Sequence, residues 1–166
     1  MATGRRNKLI GQTGEYLVAS ELSRRGYIAT TFTGNVPHHD IIASTEEGRH
    51  ISVQVKTINS TNWQLSIDKF VEIEFEGYKQ IVGKIQPSPV KNLIFVFVKL
   101  GEYGSDRFYI CTWSELCKIL SKNHSSYLKK HNGERPKRWD SMHTALSEMD
   151  ISDFENRWDL VEKMLK

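Results

Sequence analysis

The chain predicts an α/β or α+β fold in which a mixed sheet is flanked by helices. Three observations carry that expectation. Residues 6–33 pass from a helical apolar period into a β-branched, aromatic run. Residues 39–57 hold two short apolar strands joined by the polar link EEGRH. Residues 91–112 hold the most apolar run of the chain, KNLIFVFVKL, then a turn and RFYICT, with a helical pattern following.

Taken in order, residues 6–25 read as a helix, because Leu9 and Ile10 open an apolar run and Leu17, Val18 and Leu22 recur at helical intervals. Gly11 and Gly14 weaken that pattern, and Gly26 is a good stop. YIATTFT is the first strand, and GNVP is a turn punctuated by Gly34, Asn35 and Pro37. HDIIAST and ISVQVKT form a hairpin whose Gly48 can take a positive φ. WQLSI and FVEIEFE alternate as exposed strands or a hairpin do, and IQPSP is a loop because two prolines do not fit a central strand. KNLIFVFVKL is a buried strand, GEYGSD a turn and RFYICT a strand. WSELCKILSKN is a helix capped by Thr112 or Ser114, HNGERPKRWDS a surface loop, and DISDFENRWDLVEKMLK a helix or a turn and helix.

The 166 residues suit one domain spanning 1–166. Composition is that of a globular protein, 39% hydrophobic and 26% charged. No apolar run reaches the ~20 residues that span a bilayer, and the N-terminus has no secretory pattern. Cys111 and Cys117 have neither CxxC nor zinc-like spacing. A disulfide framework is not expected, and the default location is intracellular, in the cytoplasm. No glycine-rich phosphate loop and no nucleophile elbow occur, so neither a nucleotide cofactor nor covalent catalysis is indicated. The net charge of +3 is modest, but Arg5, Arg6, Lys8, Arg24 and Arg25 gather near the start and Lys129, Lys130, Arg135, Lys137 and Arg138 near the end. Such clusters suit phosphates or a solvated surface.

The chemistry lies where charge interrupts the strands. Strand residues alternate faces, so Ser52, Gln54 and Lys56 share one side and Val53 and Val55 take the other. In a hairpin the start of one strand lies beside the end of its partner, which brings Asp40 to Gln54 and Lys56. Val18 and Leu22 follow Glu15 on the same helix face, so Glu15 sits at the edge of the apolar stripe, facing the sheet. A carboxylate there is tolerable when it meets a cation. Asp40, Gln54 and the Val55 backbone carbonyl are candidate oxygen ligands, Glu15 can act through a metal-bound water, and such a set suits Mg²⁺ or Mn²⁺. Lys56 can orient or deprotonate a water for in-line attack on phosphorus. His38 and His39 can contact a phosphate or simply form the turn. A purely structural reading of these residues is also open: Asp40 caps the turn, Glu15 pairs with an arginine, and Gln54 and Lys56 lie on a solvated face.

GQTGEYLVASELSRRGY, NVPHHDIIA and ISVQVKT, in that order, resemble the PD-(D/E)XK nuclease superfamily. The likeness is to small members with a QxK variant of the last motif, such as Mrr-type restriction nucleases, Holliday-junction-resolvase-like proteins and some homing endonucleases. It covers residues 9 to 57. The helix glutamate corresponds to Glu15, the "PD" aspartate to Asp40, and the "(D/E)XK" pair to Gln54 and Lys56. The "PD" motif is stretched to PHHD, and Gln54 replaces the second acidic ligand, which removes one negative charge. The resemblance implies a restriction-endonuclease-like core, Mg²⁺-dependent hydrolysis of DNA phosphodiester bonds, a homodimer, and a prokaryotic source. Catalysis would rest on Glu15, Asp40, Gln54 and Lys56, and DNA contacts on Arg5, Arg6, Lys8, His38 and His39. The alternative is a non-catalytic DNA-binding or assembly protein with a degenerate nuclease core.

Overall fold

The computed structural model describes residues 3–32 and 36–166. The chain opens with helix α1 (Thr3–Arg24), and the strands β1 (Ile28–Thr31), β2 (Ile41–Ser44) and β3 (His50–Ile58) follow. The middle holds β4 (Asn62–Ser66), a 3₁₀ turn (Ile67–Lys69), β5 (Val71–Glu76) and β6 (Lys79–Ile85). Then come β7 (Leu93–Lys99), β8 (Arg107–Thr112), α2 (Trp113–Lys130), β9 (His143–Ser147), a kinked 3₁₀ segment (Glu148–Phe154) and α3 (Asp159–Leu165). A five-stranded sheet runs in the order β1-β2-β3-β7-β8, and β4-β9 and β5-β6 form two separate ribbons. β3 pairs antiparallel with β2 and parallel with β7, so the sheet is mixed.

β3 and β7 explain why the sheet is covered on both sides. Val53 and Val55 of β3 and Ile94, Val96 and Val98 of β7 join Val18 and Leu22 of α1 and Val161 and Leu165 of α3 in one core. Phe95 and Phe97 face the other way, toward Leu116, Cys117 and Leu120 of α2, and Trp63, Ile67 and Phe70 complete that second core. An apolar run of this length without alternation is what burial on both faces requires. α2 starts at Thr112, whose hydroxyl accepts from the Glu115 amide while Glu115 accepts from the Thr112 amide, a capping box.

Several boundaries differ from the sequence expectation. α1 begins at Thr3 rather than at residue 6, and α2 continues to Lys130. Thr33, Gly34 and Asn35, which close the first expected strand and open the GNVP turn, lie outside the described residues. β6 and β9 were not expected as strands. The tail takes the turn-and-helix form. Both cysteines are buried and unbridged, and no helix among the described residues is long and apolar enough to cross a membrane.

A buried polar chain ties the β5-β6 ribbon to α2. The Gln80 side-chain amide donates to the carbonyls of Trp139 (2.6 Å) and Ser141 (3.1 Å), and His124 Nε2 lies 2.9 Å from Gln80 Oε1. Burial, reinforced by Arg135, pushes His124 down to about 4, so it is neutral near pH 7. Because the Gln80 oxygen can only accept, the His124 proton sits on Nε2.

Candidate active site

The site is built where β2 stops short of β3. Pairing of the two strands begins at Ile41↔Val53. One residue earlier, the Asp40 amide still donates to the Val53 carbonyl at 2.9 Å. The next amide along that edge of β3, Val55, has run past the end of β2. Asp40 replaces the missing strand with its side chain: Oδ2 accepts from Val55 N at 2.7 Å. The N–H and C=O of one strand residue point to the same side. The Val55 carbonyl is therefore directed to that same open edge, beside the Asp40 carboxylate.

Gln54 and Lys56 flank Val55 and lie on the opposite face of β3, in register with Phe95 and Phe97 of β7. Both are half-buried. With Asp40 they line a cleft of about 610 Å³, whose far wall includes Lys69, Phe70, Gln86 and Trp113. Trp113 is fixed there by its indole N–H, which donates to the Gln86 carbonyl at 2.8 Å. Lys56 also borders a second hollow of about 320 Å³, shared with Asn7, Asn59, Asn62 and Gln64. The backbone at Lys56 is held by the Trp63 indole, which donates to its carbonyl at 2.8 Å.

Glu15 arrives from α1. A Cβ placed on Gly14 would lie 1.8 Å from Thr57 Oγ1, so only glycine lets the helix approach β3 this closely. Gly14, read in the sequence as a weakness in the helix, is the contact that delivers the neighbouring carboxylate. Glu15 is partly buried, and its carboxyl is raised above the usual value by burial and then by the Asp40 charge, with Lys56 opposing. The structure thus brings Glu15, Asp40 and Lys56 into one electrostatic neighbourhood, and Asp40, Gln54 and Lys56 onto one cleft.

The sign of that shift has a consequence for stability. A carboxyl whose pKa is raised on folding favours the fold below its unfolded pKa, and the contribution is lost as pH rises through the folded value. At neutral pH ionised Glu15 therefore opposes folding. Glu15→Gln is expected to raise stability at pH 7 by up to about 0.5 kcal/mol, discounted for solvent screening. A thermal unfolding series from pH 4 to pH 8 checks this: the gain should shrink toward pH 4, and a lower Tm at pH 7 would contradict it.

The remaining sequence candidates divide. His38 lines the cleft and takes a left-handed backbone conformation (φ 71°) in the turn before β2. His39 turns away from it, packing edge-to-face on Phe32 at 5.2 Å with Nδ1 buried. Arg5, Arg6 and Lys8 are exposed on the first turns of α1, outside the cleft lining. Lys69 and Trp113 are cleft residues that sequence reasoning missed. The middle segment places Lys69 there and the β7-β8 pairing places Trp113, so no local spacing signals them. The candidate ligand atoms are all oxygens. No group of three His, Cys, Asp or Glu able to hold a metal ion occurs among the described residues. A hard cation here would have to rely on Asp40 and Glu15 together with the neutral oxygens of Gln54 and Val55.

No protein-family model matches the chain, and no curated protein matches it. Among solved structures it is similar to that of a bacterial homing endonuclease, I-Ssp6803I. That likeness has a TM-score of 0.52, covers 94% of this chain and 93% of that chain, and comes with 13% sequence identity. The α/β architecture, a mixed central sheet flanked by helices, is thus that of a nuclease-like fold.

Proposed function

We propose that this chain is a metal-dependent DNA endonuclease of the PD-(D/E)XK type, with Glu15, Asp40, Gln54 and Lys56 as its catalytic set. One observation carries the reading. Asp40, Gln54 and Lys56 line one polar cleft beside the end of β2, and Glu15 on α1 stands close enough for the Asp40 charge to raise its carboxyl and the Lys56 charge to lower it. Placing like charges together opposes the fold and is relieved by a bound cation. The likeness in fold to a homing endonuclease over nearly the whole chain supports the DNA-cleaving part of this reading.

Mg²⁺ or Mn²⁺ fits the oxygen set, and when bound it supplies charge neutralisation at the phosphate and a more acidic water. Asp40, Gln54 and the Val55 carbonyl would hold the ion. The Val55 amide keeps Asp40 Oδ2 oriented. Glu15 would accept a hydrogen bond from a water beside the site. Lys56 Nζ donates to the attacking water or to a non-bridging phosphate oxygen and so aligns the in-line displacement. Gln54 in place of a carboxylate lowers the charge opposing the cation, so millimolar rather than micromolar metal is expected. A homodimer would present two such sites to the two strands of a duplex.

The test is cleavage of supercoiled, nicked, branched and single-stranded DNA with Mg²⁺ or Mn²⁺. Lys56→Ala is expected to lower the rate by about 10²-fold or more. Activity that survives Lys56→Ala would sink the assignment. Salt-sensitive binding without cleavage of any form would favour the degenerate, DNA-binding reading, for which Gln54 in place of a second acidic ligand is the motivating observation.

A further inference from the structure

The two small ribbons present opposite chemistries to solvent. On β5-β6 the outward positions include Glu72, Glu74 and Glu76, all exposed, with Glu74 opposite Ile81 and Glu76 opposite Lys79. That face repels a polyanion. On β4-β9 the register is Asn62↔Ser147, Gln64↔Ala145 and Ser66↔His143, with Trp63, Leu146 and Thr144 turned inward and buried. Its outward face is therefore uncharged, made of amides, hydroxyls, an imidazole and one methyl group. Gln64, Ala145 and His143 are its exposed centre.

Cations stand at both ends of this neutral face. At one end, Asn62 and Gln64 share a hollow with Lys56 of the candidate active site. At the other, Arg135 Nη1 donates to the His143 carbonyl at 2.8 Å, and Arg135, Lys137, Arg138 and His143 line one shallow groove. The Arg135 guanidinium also lies over the Tyr127 ring, 5.0 Å from its centroid. The four steps of β4 from Asn62 to Ser66 extend about 13 Å, or roughly four base pairs of duplex.

From this arrangement, and resting on the DNA-directed reading above, we propose that the outer face of the β4-β9 ribbon is a base-reading surface. It enters the major groove of duplex DNA beside the cleavage site. The major groove accepts a two-stranded ribbon, and amide side chains are suited to paired donor and acceptor contacts with adenine. Gln64 and Asn62 meet base edges, Ala145 leaves room for a thymine methyl, and His143 is aligned by its contact with Gln64 Oε1. Arg135, Lys137 and Lys56 contact the phosphates on either flank, which fixes the ribbon's register without reading sequence.

The experiment measures binding and cleavage of a randomised duplex library at 50 mM salt by the full chain and two exposed-face variants. Ala145→Glu puts a carboxylate at the centre of the ribbon and is expected to weaken binding at least tenfold. Ile81→Glu adds the same charge among the glutamates of β5-β6 and is expected to change binding less than twofold. Far-ultraviolet circular dichroism and a thermal melt confirm that both fold. Gln64→Ala, in a selection from the same library, should relax preference at one or two base pairs while keeping affinity for random duplex within about threefold. If the wild type binds and cleaves but Ala145→Glu matches it, the ribbon assignment is overturned while the nuclease reading stands. If binding depends on Ala145 and no DNA is cut, the ribbon assignment stands and the hydrolytic reading falls. A wild type that does not bind duplex at this salt overturns both.

Discussion

Asp40→Ala is expected to lower DNA cleavage by about 10²–10³-fold, the usual scale for removing a group that stabilises transition-state charge. It should also abolish any rise in Tm that Mn²⁺ gives the wild type. A ligand that binds only the native state stabilises it by mass action, so the Mn²⁺ response is a readout of the site that needs no activity. Asp40 has a second, structural duty. Its Oδ2 is the partner of the Val55 amide, which has no strand beside it. Losing that partner leaves a part-buried donor without its bond and is expected to cost about 1–2 kcal/mol. Asp40→Asn separates the two duties. Its side-chain oxygen can still accept from Val55, so the fold is largely kept while the charge proposed to hold a cation is gone. The measurement is a pair of thermal melts, with and without 5–10 mM Mn²⁺ (roughly the range expected for a weak hard-cation site), alongside cleavage rates. An Asp40→Asn protein that retains both the Mn²⁺ shift and full activity would remove Asp40 from the proposed ligand set.

Gly14→Ala is expected to destabilise the protein by about 2 kcal/mol, whereas Gly11→Ala, three residues earlier on the same helix, should stabilise it by up to about 1 kcal/mol. Helix propensity favours alanine equally at both positions. The difference is tertiary: nothing lies within 4 Å of a Cβ at Gly11, whereas a Cβ at Gly14 would lie 1.8 Å from Thr57 Oγ1 and 2.9 Å from Thr57 Cβ. α1 must therefore lift from β3, and Glu15 lifts with it. Activity should fall further than stability alone accounts for. Thr57→Ala should restore part of both, because Thr57 Oγ1 is buried without a hydrogen-bond partner and its loss costs little by itself. Chemical denaturation of the three single variants and the double variant measures the coupling directly. Equal ΔΔG values at positions 11 and 14 would show that the close approach is not maintained in solution.

These two residues also mark how far the sequence could be read. Asp40, Gln54 and Lys56 were legible because strand alternation and hairpin reversal are local rules, and three polar residues break an apolar pattern on one side. Glu15 was placed by helical period alone. Gly14 was misread because its value lies in a neighbour, Thr57, that is 43 positions away, a separation no local period reports. β9 was missed for a similar reason. HTALS is short and half polar, and it is a strand because β4 lies beside it, some 80 residues earlier. β6 carries Gly83 and two lysines, so its pattern gives no strand signal by itself, and Gln80 is buried because it meets His124. The parallel pairing of β3 with β7 likewise depends on a crossover through the whole middle segment, which brings Lys69 to the cleft, while the return of β8 beside β7 brings Trp113 there.

Asp40 grips β3 through the backbone of Val55, not through any side chain of that strand. The side chain at position 54 points to the other face and takes no part in that grip. On the proposed reading, exchange of the Gln54 amide for a carboxylate would change how many negative charges face a cation without moving Asp40, Val55 or the strand that carries them. The fold thus keeps the charge at position 54 separate from the bond that holds Asp40 to the strand, so if a cation binds there its affinity could be retuned at one codon while the framework stays as it is.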